Sequence, residues 1–197
     1  MLTFDHIAIA CTDLAEGVAW VEARLGVALG QGGRHPRYGT HNRLLRMGDL
    51  YLEVIAPEPG AVSDGPRWFG LDQFSGPPRL ANWICRTTDM TAAPAMCGPA
   101  VEMVRGDLTW QITVPEDGSL PLSGAYPTLL QWGAGVVPPG ESLPDSGLRL
   151  TRWEVHHPMA DVLAGDVPLE DPRVVFLPGA PGFRAGIATP GGTVWLE

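Results

Sequence analysis

The sequence contains no lysine: all 13 of its basic residues are arginine, set against 22 Asp plus Glu, for a formal net charge of -9. Without lysine there can be no Schiff base, no P-loop lysine and no lysine general base. The acidic balance leaves no basic face for phosphates, so nucleic acid is excluded as the main partner. Cysteine is scarce too. Cys11, Cys85 and Cys97 form no C-x-x-C pair, which fits buried thiols in a reducing compartment. No run approaches about 18 consecutive apolar residues, so no membrane span is expected. The N-terminus lacks the basic and apolar regions of a secretory leader. The expectation is a soluble cytoplasmic protein.

What is present is a chain of 197 residues, 45% hydrophobic, with 25 glycines and 20 prolines. That is enough to bury a core as one domain or two small ones. The turn-forming residues predict many short elements rather than a helical bundle. Phe4 to Ala10 reads as a strand. Asp13 and Glu16 resemble a capping box, Leu14, Val18, Val21 and Leu25 recur at helical spacing, and Gly26 is placed to stop the helix. Asn42 to Met47 and Leu50 to Ile55 read as a hairpin around Gly48-Asp49.

The strand–helix–strands order recurs. Leu80 to Arg86 is a strand followed by a short helical stretch. Val101 to Arg105 and Leu108 to Val114 flank a Gly106-Asp107 turn, and Thr128 to Trp132 closes the second pass. A third pass runs from Leu148 to Val155, through a weak helix at Met159 to Ala164, to Val174–Phe176, Phe183–Thr189 and Thr193–Leu196. Matched first-to-last positions are 47 residues apart for His6 and Glu53, 49 for Asn82 and Gln131, and 46 for Thr151 and Glu197. Spacing this regular predicts a structural repeat. Modules are assigned to residues 1–57 and 80–135, paired within 1–135, with a third βαβββ-like module at 147–197. The Pro/Gly-rich segments Ala56–Arg79 and Gly133–Gly147 read as linkers or surface loops.

The run D-H-I-A-I-A-C-T-D-L at Asp5–Leu14, G-T-H-N at Gly39–Asn42, Y-L-E-V-I-A-P at Tyr51–Pro57, L-T-W-Q-I-T-V-P at Leu108–Pro115 and L-L-Q-W at Leu129–Trp132 resemble the glyoxalase-like branch of the vicinal oxygen chelate superfamily. The resemblance implies an α+β fold of repeated βαβββ modules, a cupped mixed sheet with helices on its outer face. It also implies a divalent metal (zinc, iron, manganese or nickel) held from the first and last strands of the modules. The matching positions are His6 and Glu53, then Asn82 and Gln131, then Thr151 and Glu197.

Strand parity supports part of this independently. Ile7 and Ile9 share one face, with Phe4, His6 and Ala8 on the other. Leu50, Leu52 and Val54 oppose Tyr51, Glu53 and Ile55. The aliphatic faces should pack under the helix, and His6 and Glu53 should project into the cup. The hairpin register places Asn42 and Arg46 there as well. The expected lining is Asn42, Arg46, Tyr51, Asn82, Trp110 and Gln131, with Trp83 and Trp132 on the helix-packed side.

Three chemistries stay open for His6 and Glu53. Imidazole plus carboxylate is half of a metal site, but Asn82 and Gln131 are weaker ligands than His or Glu. Glu53 could instead abstract an acidic carbon-bound proton with His6 orienting it. The pair could also be a hydrogen bond satisfying two semi-buried groups. The leading function is a small-molecule enzyme with lyase, isomerase or dioxygenase chemistry. The alternative is a non-catalytic binding protein for sequestration or resistance, and the third reading is an interaction module with its cup closed by side chains. The spare edge of a third module predicts packing on the same chain or a homodimer contact.

Overall fold

A computed structural model describes all 197 residues. The first module comprises β1 (Thr3–Ala10), α1 (Leu14–Leu25), β2 (Arg34–His35), β3 (Thr40–Met47) and β4 (Leu50–Pro57). The second comprises β5 (Arg79–Arg86), β6 (Ala100–Arg105), β7 (Leu108–Thr113) and β8 (Thr128–Trp132). They form one eight-stranded sheet in the order β2-β3-β4-β1-β5-β8-β7-β6. β1 runs parallel to β4 and β5 parallel to β8, while β1 and β5 meet antiparallel at the centre. His6 pairs with Ile84 and Ala8 with Asn82, the reciprocal pattern of an approximate two-fold axis between the modules.

The local chemistry behaves as the residues dictate. Asp13 caps α1 by accepting the Glu16 amide at 2.9 Å, and Gly26 ends it in the left-handed region at φ 69°. Ile7, Ile9, Leu52 and Val54 pack with Val21 and Leu25 of α1 in the outer core. In the second module the helix is reduced to two single turns, Met90–Ala92 and Ala95–Cys97. The outer face of β5 and β8 therefore needs another cover.

The C-terminal unit supplies it. β9 (Arg149–His156), α3 (Ala160–Asp166), β10 (Val174–Leu177), β11 (Gly182–Thr189) and β12 (Gly192–Leu196) keep the expected element order. Their sheet order, β10-β9-β11-β12, is not that of a cup-forming module. In the first module the last strand returns beside the first. Here β10 takes that place, and β12 lies at the edge beside β11. Thr151 and Glu197 consequently do not reach the cup. Trp153, Val155, Phe183 and Ala185 join Phe4, Trp83, Cys85 and Leu129 in one core, and Trp153 stacks on Phe183 at 4.9 Å.

Two expectations of facing are corrected. A β-bulge between Phe4 and His6 leaves Asp5 unmatched on β5. Phe4 thus turns to the outer core, while Asp5 and His6 both face the cup. On β8, Leu130 and Trp132 face the cup and Gln131 points away. The segment Ala56–Arg79 is also not a surface loop, because Trp68, Phe69 and Leu71 are buried against the inner face of the cup. Within Gly133–Gly147 lies the short α2 (Pro139–Ser142).

Candidate active site

His6 and Glu53 come together on the floor of the cup, with His6 Nε2 3.7 Å from Glu53 Oε2. Both are buried. The other imidazole nitrogen, Nδ1, lies 2.7 Å from Asp5 Oδ1. An ionised Asp5 can only accept, so Nδ1 carries the proton and Nε2 is the nitrogen turned toward Glu53. The His6 ring stacks on Tyr51 at 4.2 Å. Asp5 Oδ2 accepts the indole N–H of Trp132 at 3.0 Å. Burial pushes the Asp5 carboxyl up, but the hydrogen bonds from His6 and Trp132 and the charges of His6 and Arg86 outweigh it and hold the group below its ordinary value. Burial, with the Asp5 and Glu53 carboxylates nearby, keeps the Tyr51 phenol protonated well above its usual range.

Glu53 is oriented from the other side. Gly33 N–H donates to Asn42 Oδ1 at 2.7 Å, which turns the Asn42 amide group toward Glu53, where Nδ2 donates to Oε1. Oε1 is thereby occupied, and Oε2 is the oxygen left facing His6.

Above the floor lies Arg105, at the end of β6. Its Nη1 donates to His35 Nε2 at 3.3 Å and to Asn42 Oδ1 at 3.5 Å. His35 Nδ1 lies 3.1 Å from Thr40 Oγ1. Burial, then the charge of Arg105 and the neighbouring His41, lowers His35 to about 3. It is a neutral imidazole accepting from a guanidinium. Arg105 forms no salt bridge, so its guanidinium faces the cavity without a carboxylate in direct contact. Trp68 stacks on Tyr38 at 4.4 Å and on Phe69 at 4.9 Å, and its indole N–H reaches Thr40 Oγ1 at 3.2 Å. These aromatics, with Trp110 and Trp132, close the cup to a cavity of about 30 Å³, room for one or two waters.

Of the residues expected from the sequence, His6, Glu53, Asn42, Tyr51 and Trp110 line this cavity. Arg46 does not. It faces the cup side of β3 but is held by the carbonyls of Gly48, Glu141 and Leu143. Asn82 is buried beside Ala8 and donates to Thr128 Oγ1 at 2.9 Å. Gln131 lies on the outer face, and the counterpart of Glu53 is Thr128. Ala8 pairs with Glu53 as Ile84 pairs with Thr128. The sequence reading missed Asp5, His35, Trp68, Phe69 and Arg105. The two aromatics inside a Pro/Gly-rich segment were the available signal.

The metal implied by the resemblance would draw its donors from the four equivalent positions on the first and last strands of the two modules. These hold His6, Glu53, Asn82 and Thr128, and the last two are spent on each other. No three His, Cys, Asp or Glu side chains cluster in metal-binding geometry anywhere in the chain. The donor set does not fit a tightly held divalent ion.

Residues 4–167 match the family model of a glyoxalase-like domain. The sequence matches no curated protein. Among solved structures, a hypothetical protein from Staphylococcus aureus superposes with a TM-score of 0.61 at 15% identity, over 99% of this chain and 84% of that one. A Streptomyces coelicolor methylmalonyl-CoA epimerase variant in complex with 2-nitronate-propionyl-CoA gives 0.46 at 22% identity, over 68% of this chain and 100% of that one. No helix is long and apolar enough to cross a membrane. With the family model covering most of the sequence, the chain belongs to the glyoxalase-like domain family.

Proposed function

We propose that the protein is a small-molecule enzyme that moves a proton at a carbon next to a carbonyl, with Glu53 as base and no metal. The observation that carries this reading is the asymmetry at the cup floor. Asn42 occupies one oxygen of Glu53, Asp5 fixes one nitrogen of His6, and the two remaining atoms face each other at 3.7 Å. Glu53 Oε2 takes the proton, and the C–H electron pair moves to the carbonyl oxygen as an enolate. Arg105 holds that oxyanion or a neighbouring carboxylate. The proton returns to carbon from Glu53 directly or by way of His6 Nε2.

The cavity of about 30 Å³ admits no such substrate until the Trp68–Phe69 cover or Arg105 moves. The same opening would serve the second reading, a protein that binds a small acid without turning it over. The two separate in deuterium oxide with pyruvate, 2-oxobutyrate and levulinate as probes. The enzyme reading expects protein-dependent deuteration of at least one, unaffected by EDTA and reduced about 10²-fold or more in Glu53→Gln. Binding without deuteration supports the second reading, and activity abolished by EDTA overturns the metal-free mechanism.

A further inference from the structure

Phe69 borders two cavities. One is the closed site space over His6 and Glu53, and the other is an open cleft of about 540 Å³ on its far side. The cleft lies where the cover segment, the Ser119–Ser123 turn and the start of β11 meet. Its lining combines residues within the stretch matched by the family model with Pro181, Gly182, Phe183 and Glu197 beyond it. All three non-glycine residues with left-handed backbones, Phe69 (φ 60°), Leu122 (φ 50°) and Ser123 (φ 56°), lie in these two segments. Strained backbone of this kind persists where surrounding structure enforces it, and it clusters at ligand clamps.

The wall chemistry is specific. Phe69, Phe74, Leu80, Leu120 and Phe183 give an aromatic and aliphatic surface. At the rim the Arg79 guanidinium lies 4.0 Å above the Phe74 ring and donates to the Ser75 carbonyl at 2.6 Å, with no carboxylate partner. The other charged group present, Glu197, is bound by Arg184 Nε at 3.0 Å.

We infer that this cleft is a binding site for an aryl or similarly flat apolar group carrying an anionic substituent, and that it holds the remote portion of the substrate whose reacting end lies beside Glu53. The second half of the inference rests on the proposed proton transfer; the first does not. Aromatic walls take the ring, Arg79 takes the anion at the mouth, and Phe69 is the partition that must swing for the two spaces to join.

The probe is 2-naphthoate, titrated into isotopically labelled protein and followed by amide and indole resonances. In wild type, residues 79–81, 119–123 and 182–183 should shift saturably. Arg79→Gln should weaken binding about threefold, the scale of an exposed ion pair, and Ser119→Trp, at an exposed position, should block the cleft. Phe69→Gly suits its left-handed backbone and should extend the perturbed set across the partition to the Trp110 and Trp132 indoles. Glu53→Gln should bind naphthoate as wild type does, so loss of catalysis and loss of the cleft are read separately. Absence of shifts in the cleft segments, or binding indifferent to Ser119→Trp, overturns the site. Perturbations that stay on the near side in Phe69→Gly overturn its link to the cup.

Discussion

Asp5 and His6 are consecutive in one strand, yet their side chains meet at 2.7 Å on the same face of the sheet. Adjacent strand residues ordinarily point to opposite faces. The bulge on β1 removes that alternation and gives the imidazole a carboxylate partner from the next residue along.

Asp5→Asn should expose what this contact does. The amide N–H₂ would donate to His6 Nδ1, moving the ring proton to Nε2 and turning a donor toward Glu53. Nitrogen-15 shifts of His6 should report the reversed tautomer. Proton exchange should fall about 10²-fold or more, while Asp5→Glu, if it keeps the wild-type tautomer, should recover part of it. Because the Asp5 carboxyl is held below its ordinary value of 3.8, its stabilisation is present in full above about pH 4 and lost as pH falls through the folded value. Urea melts of Asp5→Asn should lack that acid-limb loss.

His35 sets a second pH dependence of stability. Its folded value of about 3 lies below the ordinary 6.5, so protons favour the unfolded chain. The stabilisation is complete above pH 6.5 and erodes as pH falls toward 3, at about 1.4 kcal/mol per unit. His35→Gln can still accept from Arg105 and donate to Thr40, but it does not titrate. Between pH 6.5 and pH 5, wild type should lose about 2 kcal/mol more than the variant in urea unfolding.

Gly17 marks a close approach of α1 to the sheet. A Cβ there would lie 2.4 Å from Cys11 Sγ and 2.8 Å from Val54 Cγ1, against two fully buried side chains. Gly17→Ala should destabilise the protein by about 1–3 kcal/mol through overpacking, despite alanine's better helix propensity. A shift of the urea midpoint at constant slope is the measurement.

The modules were legible because their signals are local: alternation along β1 and β4, the Asp13 cap, and glycine in each tight turn. The facing of Asp5 and Phe4 was not, since a bulge depends on which strand lies alongside. Gln131 was misplaced because Leu52-Glu53 and Leu130-Gln131 look alike as apolar–polar pairs, while the true register rests on the pairing of β5 with β8. Trp68 and Phe69 lie in a segment without periodicity, so their burial had no pattern to betray it. The third repeat kept its element order but not its sheet order, which is decided by the bare outer face that it covers.

The two-fold relation between the modules makes the metal question testable by construction. His6 and Glu53 have Asn82 and Thr128 as counterparts, and those two side chains hydrogen-bond to each other at 2.9 Å. Wild type therefore offers one imidazole and one carboxylate, and the carboxylate is already bound by Asn42. Its melting temperature should not move with zinc, manganese, nickel or iron(II). The double variant Asn82→His, Thr128→Glu places the missing donors at the equivalent strand positions, giving two imidazoles and two carboxylates. A ligand that binds only the folded state at 100 times its Kd stabilises by about 2.7 kcal/mol, so the variant should gain several degrees with at least one of these metals. That gain should vanish on adding EDTA or Glu53→Gln, and weaken as pH falls through the histidine range because the ligands must be deprotonated. A metal-induced shift in wild type that Glu53→Gln abolishes would show that two donors suffice, and the metal-free mechanism would fall with it.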